Sequence, residues 1–236
     1  MNIEMKHVKK YYDERLILKE INLSIMNSKS IGIIGESGCG KSTLLRQLAG
    51  MEKVDSGCLT VNNNDMRIND LKEYQEKIGY VFQNHSLFPH MSVRENIMVI
   101  LHEIKGWSLS ESEIRCREVI RQFKLVDIEN QIPKKISGGQ AQRASIARAI
   151  SAYPELIFLD EPTAALDPLL TKEVLEAIKI LKNSGTDFVF VTHEMDFLMQ
   201  CADYFVFMDD GEIIEHGPIE NIKNPSTKKL YEFMNR

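Results

Sequence analysis

The chain has 236 residues and 43% hydrophobic content, enough to bury one sizeable core and a smaller lobe but not a string of domains. A formal net charge of -5 argues against a nucleic-acid binder whose affinity rests on excess positive charge. Cys39, Cys58, Cys116 and Cys201 show neither C-x-x-C pairing nor metal-ligand spacing, and no apolar run approaches the roughly 18 residues that a membrane span needs, so a cytoplasmic chain with reduced thiols is expected.

From the N-terminus, Ile3 to Val8 reads as a strand, and Ile21, Leu23 and Ile25 alternate with polar residues as a half-buried strand does. The two are expected to form an antiparallel edge. Between them, Tyr11-Tyr12-Asp13 precedes a charged, turn-like stretch. Tyr12 has two readings, a ring stacked on a nucleobase or a ring covering the sheet edge.

Ile31 to Ile34 is an apolar run broken only by Gly32, and it leads into Gly35-Glu36-Ser37-Gly38-Cys39-Gly40-Lys41-Ser42-Thr43. Gly35, Gly40, Lys41 and Ser42 match G-x-x-x-x-G-K-[ST], and Leu44, Leu45 and Leu48 follow at helical spacing. A strand, a glycine loop and a helix with free N–H groups make an anion cradle. Gly35, Gly38 and Gly40 are expected to take positive φ and bring backbone N–H groups close to a β-phosphate. Lys41 supplies a cation for the β- and γ-phosphates, and Ser42 a hydroxyl for Mg²⁺.

Asp55-Ser56-Gly57 turns into a strand at Leu59 to Val61, and Asn62-Asn63-Asn64-Asp65 is a hairpin signal. Ile78 to Phe82 is a further strand ending at Gln83, whose amide could reach Mg²⁺ or an attacking water, or be an ordinary exposed strand end. From Pro89 the pattern becomes helical. Ser92 with Glu95, then Ser110 with Glu113, are capping-box signals ahead of apolar faces that include Ile97, Ile104, Ile114 and Ile120. Two helices with no strand between them imply an inserted helical lobe over 89–135, with Trp107 packed in the bend.

Ser137-Gly138-Gly139-Gln140 opens another helix, either as a second phosphate-binding turn or as a plain cap. Leu156 to Leu159 is a continuous apolar strand that ends in Asp160-Glu161, in the crevice where open α/β sheets bind ligands. Asp160 suits the Mg²⁺ shell and Glu161 suits activating a water aimed at the γ-phosphate. Asp167-Pro168 begins a helix, Phe188 to Val191 forms a buried strand, and His193 beyond it could sense a γ-phosphate. The tail adds a strand at Tyr204 to Met208, a turn at Asp209-Asp210-Gly211, a short strand and two small helices.

The order of these pieces resembles the ATP-binding cassette (ABC) ATPases across nearly the whole chain. Gly35–Thr43, Gln83, Ser137–Gln140 with Arg143, Asp160–Glu161, Ala165-Leu166-Asp167 and His193 stand where that family has its Walker A, Q-loop, signature, Walker B, D-loop and switch histidine. Ile136 replaces the usual leucine of the signature. The resemblance implies an α/β P-loop ATPase core, 1–88 and 136–236, with a mostly parallel sheet, an antiparallel β edge and an inserted α-helical lobe.

It also implies ATP and Mg²⁺, with Gln83, Glu161 and His193 in catalysis, and Tyr12, Gly35–Thr43, Ser137–Gln140 and Asp167 on the nucleotide. Ser42, Gln83 and Asp160 then serve the metal. In this family the Walker A of one copy meets the signature of another across ATP, so a head-to-tail dimer is expected. The runs Leu87 to Asn96 and Thr192 to Met195 are similar to those of ATPases of bacterial polar amino acid importers. On that likeness the chain serves an integral membrane permease at the cytoplasmic face, docks it through 85–89, and depends indirectly on a solute-binding protein. Relatives in other solute import, lipoprotein release or cell division share the general pattern. A nucleic-acid ATPase of the family fits less well, because its cassette is usually split by a long coiled coil.

Overall fold

Apolar alternation and tight turns set the first layer of the structure. The computed structural model describes every residue except Asn69, His85, residues 165–167 and Arg236. Strands β1 (Ile3–Tyr12) and β2 (Arg15–Ile25) pair antiparallel through a turn at Asp13-Glu14. Both run past the apolar stretches that mark them in the sequence. Lys9 to Tyr12 carry no inward alternation and are held by cross-strand pairing, Tyr12 opposite Arg15.

Next come β3 (Ser30–Gly35), α1 (Lys41–Leu48), β4 (Ser56–Val61), β5 (Asn64–Asp65), α2 (Lys72–Glu76) and β6 (Ile78–Val81). Asn62 and Asn63 both take positive φ, 47° and 67°, the geometry a two-residue hairpin loop requires. Helix α3 (Val93–Val99) runs into a π-helical turn at Ile100–Ile104 and is followed by α4 (Leu109–Gln122). The second half holds α5 (Gly138–Ser151), β7 (Leu156–Asp160), α6 (Pro168–Asn183), β8 (Asp187–Thr192), α7 (Met195–Cys201), β9 (Tyr204–Asp209), β10 (Glu212–Pro218) and α8 (Lys228–Met234).

Capping at α3 follows the sequence: Glu95 N donates to Ser92 Oγ and Ser92 N to Glu95 Oε2. At α4 the sequence reading is two residues off. The box is Ser108 with Glu111, not Ser110 with Glu113. Both pairs satisfy S-x-x-E, and the helix phase that buries Cys116, Val119, Ile120 and Phe123 selects the earlier one. That phase leaves Ile114 61% exposed and frees Glu113 to pair with Arg94 and Arg117. Ile104, expected on an apolar face, is also exposed. Trp107 is half-buried and stacks on Tyr153, ring centroids 6.0 Å apart.

Among the described residues the strands form two sheets. One is antiparallel, in the order β2-β1-β4-β5. The other has the order β10-β9-β3-β8-β7-β6 and is parallel except for its β10 edge. Both faces of the larger sheet are buried, so its strands read as unbroken apolar runs. Ile31, Ile33, Leu156, Phe158, Val189, Val191 and Val206 face the antiparallel sheet and the leucines of α1. Ile34, Ile157, Leu159, Phe188, Phe190 and Phe205 face helices α3 to α7. Gly32 is required by close approach, since a Cβ there would lie 2.1 Å from Leu198 Cδ1. No helix among the described residues is long and apolar enough to cross a membrane.

Candidate active site

The site grows out of the end of β3. Helix α1 begins directly at Lys41 and its N-cap, Gly40, has φ 103° with no side chain capping it. The hydrogen-bond ladder of the helix starts only at Leu44 N, which donates to Gly40 O at 2.9 Å. The N–H groups of Lys41, Ser42 and Thr43 are therefore left by the ladder for an anion. Gly35, Gly38 and Gly40 all sit at positive φ, as expected, at 158°, 82° and 103°. Gly35 is required by space as well, because a Cβ would stand 2.2 Å from Met208 O.

Lys41 is 4% exposed and donates to Gly35 O at 2.9 Å and Glu36 O at 2.7 Å. Its ammonium is folded over the loop and stands 3.9 Å from Glu161 Oε1. Cys39, beside it, is buried, and burial raises its thiol pKa even though Lys41 pulls the other way.

Ser42 Oγ donates to Asp160 Oδ1 at 2.7 Å, so the P-loop helix and the end of β7 touch through two hard oxygens. Tyr80, from β6, donates to the other oxygen, Asp160 Oδ2, at 3.3 Å. Burial, and then the charge of Asp160, push the Tyr80 phenol well above its usual range and keep it a donor. Hydroxyl and carboxylate oxygens suit Mg²⁺. Among the described residues no cluster of three or more His, Cys, Asp or Glu could hold a metal ion.

Glu161 stands one residue beyond the strand, at φ 44°, in a left-handed conformation uncommon for a non-glycine residue. That bend turns its carboxylate toward the loop. Gln83 Nε2 donates to Glu161 Oε2 at 3.2 Å, and His193 Nδ1 lies 3.8 Å from the same oxygen. Lys41, Gln83 and His193 thus converge on one carboxylate.

A cavity of about 440 Å³ opens here, lined by Ser37, Gly38, Gly40, Lys41, Ser42 and Thr43 of the loop together with Tyr12, Gln83 and Glu161. Such a volume suits a small-molecule ligand. Arg15 and Ile17 also line it. Sequence pattern marked only the charged turn ending at Arg15, and nothing in it singled out Ile17, Arg46, Glu52 or Tyr80.

Ser137 to Gln140 do not line this cavity. Ser137 caps α5: its Oγ accepts from Gln140 N at 3.2 Å while Ser137 N donates to Gln140 Oε1 at 2.9 Å. Because that hydroxyl accepts, its own proton stays available, and the residue is exposed. Gly139 is buried against Leu170 and Glu173, and Arg143 pairs with Glu173 at 3.2 Å. Asp167 and the Ala165-Leu166-Asp167 motif lie outside the described residues.

A parallel sheet whose central strand passes through a glycine loop into a helix, with a carboxylate pair at the end of the next strand but one, defines a P-loop nucleoside-triphosphate hydrolase. Residues 18–164 match the family model described as ABC transporter, and residues 139–199 also match one described as AAA domain, putative AbiEii toxin, Type IV TA system. The chain is 39% identical to the arginine transport ATP-binding protein ArtM of Bacillus subtilis over 99% of both chains. It is 39% identical to the glutamine transport ATP-binding protein GlnQ of Escherichia coli over 98% of both. The L-cystine transport system ATP-binding protein TcyN of Escherichia coli is 38% identical, over 98% of this chain and 97% of its own. Among solved structures, the dimeric ATP-binding cassette MJ0796 in a post-hydrolysis state bound to ADP and Pi superposes with a TM-score of 0.81 at 30% identity, covering 92% of this chain and 98% of that one. The chain belongs to the ABC transporter ATPase family.

Proposed function

We propose that this chain is the ATP-hydrolysing subunit of an importer for polar amino acids, working at the cytoplasmic face of the membrane on an integral permease that receives solute from a separate binding protein. The observation that carries this reading is full-length similarity to arginine, glutamine and cystine transport ATP-binding proteins, joined to a cavity lined by the P-loop and Glu161, whose carboxylate lies 3.8 Å from His193.

In this reading Tyr12 stacks on the base, the backbone of Gly35–Thr43 wraps the β-phosphate, and Lys41 leaves its carbonyl partners for the phosphates. Ser42, Asp160 and Gln83 hold Mg²⁺, which when bound neutralises phosphate charge. Glu161 takes the proton of the attacking water, and His193 and Gln83 register the γ-phosphate at its carboxylate. The groups act mainly by position and charge.

The signature turn at Ser137–Gln140 lies away from the cavity of its own chain, which supports a head-to-tail dimer in which that turn, with Asp167, completes the site of the partner copy. We read 89–135 as a helical lobe on the core of 1–88 and 136–236. A second cavity of about 330 Å³, lined by Tyr80, Phe82, Phe88, Ile100 and Arg148 among others, supports docking of the permease beside residues 85–89, of which His85 lies outside the described residues.

The test is ATP hydrolysis by the purified chain with and without its candidate permease in vesicles. Stimulation that further rises with a loaded amino acid binding protein is expected. Indifference to the permease together with stimulation by DNA would overturn the proposal.

A further inference from the structure

Tyr12 sits at the tip of the β1–β2 hairpin and is 40% exposed, a place where a tyrosine ring would ordinarily sample several rotamers. Its far end is nevertheless pinned. The phenol oxygen lies 2.7 Å and 2.6 Å from the two carboxylate oxygens of Glu52. Arg46 Nε donates to Glu52 Oε1 at 2.7 Å, and Arg46 Nη2 donates to the Tyr12 oxygen at 3.2 Å. Three side chains, from β1, α1 and the loop after α1, close a ring of charge-assisted hydrogen bonds, the stronger kind.

Both partners of Tyr12 are fixed to the phosphate-binding helix. Arg46 lies on α1, five residues after Lys41, with Nη2 also 3.5 Å from Thr43 Oγ1. Glu52 is held by its backbone, since Met51 N and Glu52 N both donate to Arg46 O, at 2.9 and 3.3 Å. Neither Glu52 nor Arg46 lines the nucleotide cavity, whereas Tyr12 does. One face of the Tyr12 ring carries Lys10, whose Nζ lies 5.7 Å from the ring centroid and is paired with Asp55 at 3.1 Å. Lys10 does not line the cavity either, which leaves the other face for a ligand.

We propose that Glu52 and Arg46 are positioning residues that lock the Tyr12 ring to the phosphate-binding helix, so that base platform and phosphate cradle form one rigid unit. This rests on the reading of Tyr12 as the base-stacking side chain. Without the tether the ring must be ordered each time a nucleotide binds, and that cost falls on the base and not on the phosphates.

The experiment compares Kd values for Mg-ATP and for Mg-tripolyphosphate, which has no base, by calorimetry on the full chain. Glu52→Met and Tyr12→Phe are each expected to weaken ATP about three- to tenfold, the effect of one or two freed side chains, with tripolyphosphate unchanged. The double variant is expected to be no weaker than either single one, because both break the same link. Tyr12→Ala is expected to weaken ATP at least as much. If Tyr12→Ala weakens ATP while Tyr12→Phe and Glu52→Met match the wild type, the ring matters and the tether is refuted. If Tyr12→Ala leaves ATP affinity unchanged, the stacking reading fails and the tether with it. Parallel loss of tripolyphosphate in Glu52→Met, or additive losses in the double variant, would also overturn the proposal.

Discussion

Replacing Glu161 by glutamine separates chemistry from binding at this site. Glutamine has the shape of glutamate, tolerates the same φ of 44° about as poorly, and can still meet Gln83. Lys41 would lose a carboxylate at 3.9 Å but keep Gly35 O and Glu36 O at 2.9 and 2.7 Å, so no buried ammonium is orphaned. Fold and nucleotide affinity should therefore survive. What is lost, on the role proposed for Glu161, is the proton acceptor, a contribution of about 10²- to 10⁴-fold, or roughly 3–5 kcal/mol on the barrier. The assay is steady-state phosphate release at saturating ATP and Mg²⁺, run beside an ATP-binding isotherm and size-exclusion chromatography. The expected result is hydrolysis reduced at least about a hundredfold, Kd for ATP within about threefold, and a species of twice the mass that persists with ATP. Hydrolysis within about threefold of the wild type would refute the role given to Glu161, and loss of ATP binding would refute the claim that its carboxylate is dispensable for the grip.

Tyr80→Phe removes the donor to Asp160 Oδ2, and the Mg²⁺ concentration for half-maximal hydrolysis is expected to rise by up to about tenfold, with the affinity for metal-free ATP unchanged; an unmoved Mg²⁺ titration would exclude the contact. Gly32→Ala places a Cβ 2.1 Å from Leu198 Cδ1 and 2.9 Å from Phe190 Cζ, an overpacking of about 1–3 kcal/mol that should lower Tm by about 3–10 °C, and an unchanged Tm would mean the core yields there at no cost. Burial works against the Glu215 carboxylate, but Ser226 N, Thr227 N and Thr227 Oγ1 donate to it and hold its pKa below the usual glutamate value. Its stabilisation is thus present above the unfolded value near pH 4.3 and lost as pH falls through the lower folded one. Protection factors of the α8 amides, taken relative to intrinsic exchange at each pH, should fall on acidification in that window, and Glu215→Gln should remove the dependence.

How much of this was legible in the sequence depends on whether one residue's environment is set locally. The P-loop, the strand running into Asp160-Glu161 and the caps at Ser92 and Ser137 depend on neighbours within a few positions, and the pattern placed them where the structure has them. Two overlapping S-x-x-E signals at Ser108 and Ser110 could be separated only by the tertiary phase of α4, and Ile114 was misplaced with them. Glu52, Arg46 and Tyr80 carried no signal at all. Their partners, Tyr12 and Asp160, lie 40, 34 and 80 residues away in the chain, and their own surroundings in sequence are ordinary.

The meeting of Ser42 with Asp160 follows from strand alternation and register. In the larger sheet β3 and β7 are not neighbours, because β8 lies between them, so at about 4.8 Å per strand the loop must reach across roughly 10 Å. Side chains of β7 alternate: Leu156 and Phe158 pack in the cluster that holds Leu44, Leu45 and Leu48 of α1, while Ile157 and Leu159 pack with the helices on the other face. Residue 160 therefore faces α1, and α1 lies over β8 and β7 and brings Ser42 onto it. Register sets the height. Ile34 is opposite Thr192, Val191 opposite Asp160, and Leu159 opposite Val81, so Gly35, His193, Glu161 and Phe82 all emerge within about one residue of a common line. A one-residue slip of β7 would turn Asp160 to the other face and put Leu159 against Ser42. Four parallel strands with both faces buried resist that slip at every apolar position, which is why the groups around Glu161 can be spread over 41 to 193 in the chain and still converge on one carboxylate.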